Sequence, residues 1–171
     1  NTAWTIVDKP GTYRGKCTEL CGKNHGFMPI VVKVVPQDEY DKWVAAKKEE
    51  ALKMAELTEK TWSAEELVQR GEGIYQKNCV ACHQLNGAGI PGIFPALVGS
   101  EIVLNNKTRH LEILMEGVQG AAMAAYANQL SEVDMAAVIT YTRRSWGNAE
   151  NGDGEIVVPT DIVEYKKLKL K

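Results

Sequence analysis

The stretch SAEELVQRGEGIYQKNCVACH, residues 63–83, decides how the second half of this chain folds. Ser63 and Glu66 form the pattern of a capping box, in which the two side chains satisfy free backbone N–H groups at the start of a helix. An apolar face at helical spacing follows, formed by Leu67, Val68, Ile74 and Tyr75. The stretch therefore predicts an amphipathic helix that leads into two cysteines and a histidine.

The end of that helix carries the motif Cys79-Val80-Ala81-Cys82-His83. In C-x-x-C-H spacing, two thiols can add to the vinyl groups of one heme while the adjacent imidazole takes an axial position on the iron. A redox-active cysteine pair and half of a zinc site are alternatives. A zinc ribbon needs a second Cys or His pair that this half lacks, and a thioredoxin-like motif needs a βαβ context. We therefore predict covalent heme at Cys79 and Cys82, with His83 as an iron ligand.

The heme iron needs a second axial ligand, for which the candidates are Met115, Met123, Met135 and His110. Met115 and Met135 lie in periodic helical segments, where methionine usually fills a core. Met123 lies in a loop of small residues, AAMAAY, which lets its side chain reach the heme, whereas His110 is expected to be an exposed helix residue. We predict Met123 as the ligand. His/Met ligation favours electron transfer over oxygen chemistry.

The rest of this half reads as helices and loops, with no strand of any strength. Residues 84–99 are rich in glycine and proline, and residues 119–130 form a loop of small residues. Helical patterns occupy residues 108–118 and residues 131–146, the second of which opens with the start signal of Ser131 and Asp134. The terminal YKKLKLK is expected to be solvated.

Residues 63–149 resemble the class I c-type cytochromes. Gly71 and Tyr75 have the spacing that such domains use where their first and last helices cross, and IFPALVG, residues 93–99, resembles the loop whose proline carbonyl orients the proximal histidine. The resemblance implies that Pro95 accepts a hydrogen bond from His83 and thereby fixes the ring orientation. Ala124 departs from many relatives, which have proline after the methionine.

The first 36 residues have the composition of β-structure. Branched and aromatic residues between Pro and Gly predict strands in TAWTIVD (2–8), TYRGKC (12–17) and PIVVKVV (29–35). Three strands are too few for a self-sufficient sheet, so we expect a partner or a further segment. Residues 37–62 then predict a charged, solvated helix that serves as a linker.

Between the last two of these strands lies KCTELCGKNHGFM, residues 16–28, which holds the other two cysteines of the chain together with His25 and Met28. Thiolate, imidazole and thioether together favour copper, or zinc if the methionine is incidental. A mononuclear blue-copper site uses one cysteine and two histidines, whereas Cys17 and Cys21, four residues apart, can bridge two metal ions. A disulfide between these two cysteines is the structural alternative.

GKCTELCGKNHGFMPIVV, residues 15–32, resembles the CuA loop of cytochrome c oxidase subunit II, a family with a cupredoxin fold. The resemblance implies that Cys17 and Cys21 bridge both coppers, that His25 and Met28 each ligate one, and that the backbone carbonyl of Glu19 is a weak further ligand. The family has another histidine ligand upstream, but no histidine precedes His25 here. The family's two transmembrane helices and early strands are missing too. We therefore expect the chain to be the C-terminal part of a longer protein, with an incomplete copper site.

The two resemblances together predict a multi-domain chain. Its parts are the C-terminal part of a cupredoxin β-sandwich (1–36), a helical linker (37–62), an all-α cytochrome c domain (63–149) and a C-terminal tail (150–171). This fusion resembles the subunit II of caa3-type oxidases. The implied route runs from a donor cytochrome to the heme, then to CuA, then to oxidase subunit I, where oxygen is reduced. The chain alone would carry electrons without catalysing that reaction.

Two other functions fit some of these features. One is a nitrous oxide reductase-like CuA enzyme with a fused cytochrome, although such an enzyme would show a large histidine-rich domain upstream. The short helical linker and the continuation MPIVVKVV favour the oxidase. The other is an electron-shuttling cytochrome module with a vestigial copper loop.

Composition excludes further classes of function. The net charge of −2 and the absence of a basic stripe with interleaved aromatics argue against nucleic-acid binding. Without a run of about 18 apolar residues, the chain would meet a membrane only through the missing N-terminal helices and be soluble itself. Since heme attachment to C-x-x-C-H occurs outside the bacterial cytoplasm, we expect both domains on the periplasmic or outer face of the membrane. An unpaired sheet edge predicts dimerisation through residues 1–36.

Overall fold

A computed structural model describes residues 2, 4–19, 21–22 and 25–169 of the chain. The chain divides into two compact units, Asn1–Leu52 and Lys53–Lys171. None of the helices in the described ranges has the length and apolar character needed to cross a bilayer.

The first unit contains a two-stranded antiparallel sheet. Strand β1 (Gly11–Lys16) pairs with β2 (Pro29–Val34), and a 3₁₀ turn at His25–Phe27 precedes β2. The strand predicted for residues 2–8 is wrong for the described positions, which form no regular secondary structure. Trp4 and Ile6 are 85% and 76% exposed, so their apolar alternation finds neither a core nor a neighbouring strand.

Helix α1 (Gln37–Glu59) follows directly after Pro36, as predicted. Asp38 and Glu39 lie in its first turn, where negative charge is favourable at the positive end of the helix dipole. None of its residues is buried. The charged surface and the ion pair between Lys47 and Glu50 are typical of a solvated helix.

The second unit is helical, and across residues 53–169 its extended structure is confined to an isolated bridge between Ile90 and Phe94. Its helices are α2 (Ala64–Asn78), α3 (Val80–His83), α4 (Glu101–Asn105), α5 (Lys107–Glu116), α6 (Glu132–Arg144), α7 (Asn148–Asn151) and α8 (Pro159–Lys169). The predicted capping box at the start of α2 is present, because Ser63 accepts from the backbone of Glu66 and Glu66 accepts from the backbone of Ser63. Ser131 caps α6 in the same way through its hydroxyl.

Helices α2 and α6 pack against each other at Gly71. A Cβ atom at this position would lie 2.1 Å from the carbonyl oxygen of Ala137 and 2.6 Å from Cβ of Tyr141. Only a residue without a side chain allows the two backbones to come this close. Tyr75, one turn further along α2, is fully buried in the same core as Met135 and Ile139 of α6.

The segment assigned to the C-terminal tail (150–171) contains a packed helix, and the solvation predicted for YKKLKLK (165–171) holds at Lys167, Leu168 and Lys169, which are exposed. Helix α8 packs on α6, with Val157, Pro159 and Ile162 buried. Thr140 of α6 holds this segment, since its hydroxyl donates to the carbonyl of Val157 and accepts from its N–H, both at 2.9 Å. The segment is therefore part of the second unit's core.

Arg143 of α6 joins α4 to the segment that precedes α8 through hydrogen bonds. Its buried guanidinium donates to the carbonyls of Val103, Leu104 and Glu155 and pairs with Asp153. A buried charge is tolerated when it is hydrogen-bonded and paired in this way.

Candidate heme and metal sites

The C-x-x-C-H segment is positioned by the end of α2. The N–H of Cys79 donates to the carbonyl of Tyr75 at 2.8 Å, and the short helix α3 carries the chain on to His83. The hydroxyl of Tyr75 donates to the carbonyl of Gln84 at 2.7 Å, which fixes the far end of the segment. Cys79 and Cys82 are free, half-buried thiols.

His83 is oriented by the glycine- and proline-rich loop. Its Nδ1 atom lies 3.0 Å from the carbonyl oxygen of Pro95. Because a carbonyl can only accept, Nδ1 carries the proton of the neutral ring, and Nε2 keeps a lone pair for a metal ion. This is the arrangement by which an outer hydrogen bond aims a metal-binding histidine.

Gly89 makes this contact possible, and sequence reasoning missed it. It adopts φ +65°, and a Cβ atom there would lie 2.5 Å from the Pro95 carbonyl oxygen and 2.4 Å from that of Phe94. Its N–H also donates to the carbonyl of His83 at 3.0 Å. The signal in the sequence was a glycine in the loop between His83 and Pro95, although this loop contains two other glycines of equal appearance.

Cys79 does not have the electrostatics of the attacking cysteine in a redox-active pair. Burial, and to a smaller extent the neighbouring Cys82, raise the pKa of Cys79 to about 11. Reactive C-x-x-C motifs lower the pKa of the attacking cysteine instead. Among the residues that the structure describes, no acidic side chain or further histidine joins these cysteines as a metal-binding group. The donor set, with two half-buried thiols and an aimed imidazole, fits covalent heme.

The three methionine candidates lie in different surroundings. Met115 and Met135 are 5% and 0% exposed and pack inside the core of the second unit. Met123 is half-buried at the edge of that core, in a loop whose backbone is fixed by the N–H of Val118, which donates to the Met123 carbonyl at 3.0 Å. Tyr126 ties the loop to the end of α2 through a hydrogen bond of 3.2 Å to the carbonyl of Asn78. The core positions of the other two methionines support Met123 as the ligand.

His110 is not the exposed residue that the sequence predicted. It is half-buried, and its Nδ1 atom is fully buried without a hydrogen-bond partner. Burial lowers the pKa of His110 to about 3, with further contributions from the charges of Arg143 and His83. The neighbouring Arg109 is exposed, but α5 turns its next residue toward the core.

In the first unit, the structure brings the predicted copper-binding side chains together. The Sγ atoms of Cys17 and Cys21 lie 3.3 Å apart, and Sγ of Cys21 lies 3.6 Å from Nδ1 of His25 and 3.0 Å from Sδ of Met28. Sγ of Cys17 also lies 3.2 Å from the carbonyl oxygen of Glu19. All four side chains and the one carbonyl therefore converge on one place.

The hairpin and its turn produce this convergence. The N–H of Cys17 donates to the carbonyl of Met28 at 3.2 Å, which continues the pairing of β1 with β2 by one step. Both cysteines are free, and a separation of 3.3 Å is well beyond the ~2.05 Å of a disulfide. The hydrogen bond from Cys17 raises the pKa of Cys21. Binding of a soft metal would replace these thiol protons.

Two known protein families match this chain, one in each of its compact units. Residues 1–35 match the family described as cytochrome c oxidase subunit II, periplasmic domain, and residues 66–141 match the family described as cytochrome c oxidase, cbb3-type, subunit III. The first match contains residues 16–28, which we call the sulfur-rich loop, and the second contains the C-x-x-C-H motif.

Curated relatives match this chain over different lengths. The cytochrome c oxidase subunit 2 of Alkalihalophilus pseudofirmus is 34% identical over 153 residues, which are 84% of this chain and 42% of that protein. The corresponding protein of Bacillus sp. strain PS3 is 34% identical over 89 residues, 48% of this chain and 23% of its own length. A probable cytochrome c oxidase subunit 2 of Rickettsia felis is 52% identical over 52 residues, 30% of this chain and 16% of its own length. The chain thus spans less than half the length of these relatives.

Proposed function

Because this chain joins part of a cytochrome c oxidase subunit II periplasmic domain to a cytochrome c domain, we propose that it carries electrons into such an oxidase. The observation that carries the proposal is the C-x-x-C-H segment at the end of α2, where His83 is held through Nδ1 by Pro95 and presents Nε2 for iron. A heme c bound there would supply one-electron chemistry.

In this proposal five residues of the second unit have defined roles. Cys79 and Cys82 would hold the heme covalently, His83 and Met123 would ligate its iron, and Pro95 would orient His83. Burial raises the pKa of Cys79, which disfavours the thiolate that disulfide chemistry at this residue requires. If His83 and Met123 both ligate the iron, these side chains would leave no position for a substrate, which suits electron transfer.

In the first unit, Cys17 and Cys21 would bridge two copper ions, with His25, Met28 and the Glu19 carbonyl as further ligands. The support is the convergence of these donors in the sulfur-rich loop. Since the subunit II family uses another histidine and none precedes His25 here, we propose that this chain supplies most of a CuA site but not all of it.

The same proposal implies a direction of electron transfer and the partner proteins. The proposed route would run from a donor cytochrome to the heme site at His83, then to the CuA site at Cys17 and Cys21, and then to oxidase subunit I. The domains would face the periplasm or the outer side of a bacterial membrane, in line with the periplasmic-domain match. The exposed side chains of Ile30 and Val31 on β2 agree with a sheet that continues in another segment or a second copy.

Heme attachment is tested by producing the chain in cells that mature c-type cytochromes. The wild type should carry one heme that stays bound after denaturation, and the Cys79→Ala/Cys82→Ala variant should carry none. A Cys17→Ala/Cys21→Ala variant is the matched control and should keep its heme. Heme loss from the control, or retention by the first variant, would contradict the assignment.

Copper binding is tested separately by titration of the reduced chain and electron paramagnetic resonance. We expect copper to bind with sulfur coordination, and Cys17→Ser to remove that signal while Thr18→Ser leaves it unchanged. A wild-type chain that takes up no copper would favour the alternative of a vestigial loop beside a working cytochrome. A complete mixed-valence dicopper signal at full stoichiometry would contradict the proposal that the site is incomplete.

A further inference from the structure

His110 presents an unsolved hydrogen-bonding problem in the second unit. Among the described residues, its Nδ1 is the buried side-chain nitrogen or oxygen that has no partner. Native proteins rarely leave such an atom unpaired, because its lost hydration is then uncompensated. We therefore expect the hydrogen-bond partner of Nδ1 to be a group that is not part of the chain.

The position of His110 places it on the core side of α5. It lies one turn before Leu114 and next to Leu111, both of which are buried in the core. Leu111 and Leu114 belong to the core against which Cys79 and Met123 pack, so His110 lies on the side of α5 that packs with the residues we propose to hold the heme. The missing partner should accordingly be sought beside the heme.

The side chains of Arg143 and His83, whose charges act on His110, already have hydrogen-bond partners. Arg143 directs its guanidinium to three backbone carbonyls and to Asp153, and the Nδ1 proton of His83 is held by Pro95. A heme attached at Cys79 and Cys82 would bring two propionate carboxylates into this unit. Each carboxylate needs donors if it is to be taken out of water, and bonds to ionised acceptors are the strong ones.

We propose that His110 donates a hydrogen bond from Nδ1 to a propionate of the heme. This inference rests on the proposed attachment of heme to the C-x-x-C-H segment. The ring in its present surroundings is neutral, so it offers one N–H donor without burying a second positive charge beside Arg143. His110 would then be a residue that positions the heme and compensates part of its negative charge.

The test compares His110→Leu, which removes the donor, with His110→Gln, which keeps an N–H donor of similar reach. Covalent heme content is measured first, so that a failure of heme attachment is recognised separately from a failure of this inference. Propionate vibrations are then followed by resonance Raman spectroscopy, and the heme reduction potential by spectroelectrochemistry.

In His110→Leu we expect the propionate bending mode to shift and the reduction potential to fall, since a less compensated carboxylate stabilises ferric iron. His110→Gln should stay near the wild type in both. An unchanged propionate mode in the leucine variant overturns the inference and leaves a buried water molecule as the partner of Nδ1. If the leucine variant does not fold, nuclear magnetic resonance of the ferrous wild type decides. Contacts between the His110 ring N–H and propionate methylene protons support the inference, and their absence contradicts it.

Discussion

Replacement of Gly71 by alanine should destabilise the second unit, although alanine is the better helix former. The new methyl group would meet the carbonyl oxygen of Ala137 at 2.1 Å and the Cβ atom of Tyr141 at 2.6 Å. Ordinary contact begins near 3.4 Å, so α2 and α6 would have to separate by more than 1 Å. The carbonyl belongs to the backbone of α6 and cannot move aside like the end of a side chain.

The expected magnitude combines two opposing effects. Alanine gains about 1 kcal/mol over glycine in a helix interior. Overpacking of a tight core costs about 1–3 kcal/mol and more when backbone is displaced. Because the contact here is with backbone and the crossing lies beside the buried Tyr75, we expect a net loss of about 2–3 kcal/mol in the free energy of unfolding.

Gly73 of the same helix provides the matched control. A Cβ atom at this position would have no atom within 4 Å, so Gly73→Ala should raise the free energy of unfolding by about 0.5–1 kcal/mol. Both variants are measured by guanidinium unfolding of the heme-loaded chain, followed by far-ultraviolet circular dichroism. The reasoning is refuted if Gly71→Ala is as stable as the wild type, or if the two substitutions shift stability in the same direction.

Three further predictions concern the iron ligand and the interior of the second unit. Met123→Leu should abolish the absorption and magnetic circular dichroism signals of His/Met ligation, whereas Met115→Leu should keep them. If only Met115→Leu loses these signals, the iron ligand would be the core residue Met115 instead. Arg143→Leu should lower the free energy of unfolding by about 3 kcal/mol, because it leaves three carbonyls without their donor. The control variant Arg144→Leu should change the free energy of unfolding by no more than about 0.5 kcal/mol. Equal effects of the two substitutions in denaturant unfolding would contradict this prediction. Thr140→Val should cost about 1–2 kcal/mol, because it removes two hydrogen bonds to the C-terminal segment, and an unchanged urea midpoint would count against that role.

Local signals allowed several elements to be predicted. The caps at Ser63 and Ser131 involve residues three positions apart, so the starts of α2 and α6 can be recognised from sequence alone. The clustering of Cys17, Cys21 and Met28 could likewise be expected, because a hairpin turn brings residues close that are near in sequence.

Features that depend on distant packing were missed or wrongly predicted. The segment at residues 2–8 alternates like a strand, but alternation alone cannot supply a pairing neighbour. Helix α8 has a weak apolar face and three lysines near its end, and only its packing on α6 shows why Ile162 is buried. Its start did carry a signal, since Pro159 suits the first helical position and Asp161 accepts from the N–H of Val158.

His110 shows the same limitation at the site itself. Its neighbour Arg109 suggested an exposed position, yet the helical spacing to Leu114 indicated the core side. The two cues conflict in sequence, and only the burial of Nδ1 distinguishes them.

The most direct test of the account is the mass and colour of the purified chain after production with a c-type heme maturation system. We predict a mass increase of one heme that survives denaturation and maps to the peptide containing Cys79 and Cys82, with a spectrum that changes reversibly on reduction. A chain that is recovered at its apoprotein mass, without a covalently bound porphyrin, would contradict the proposal that it carries electrons.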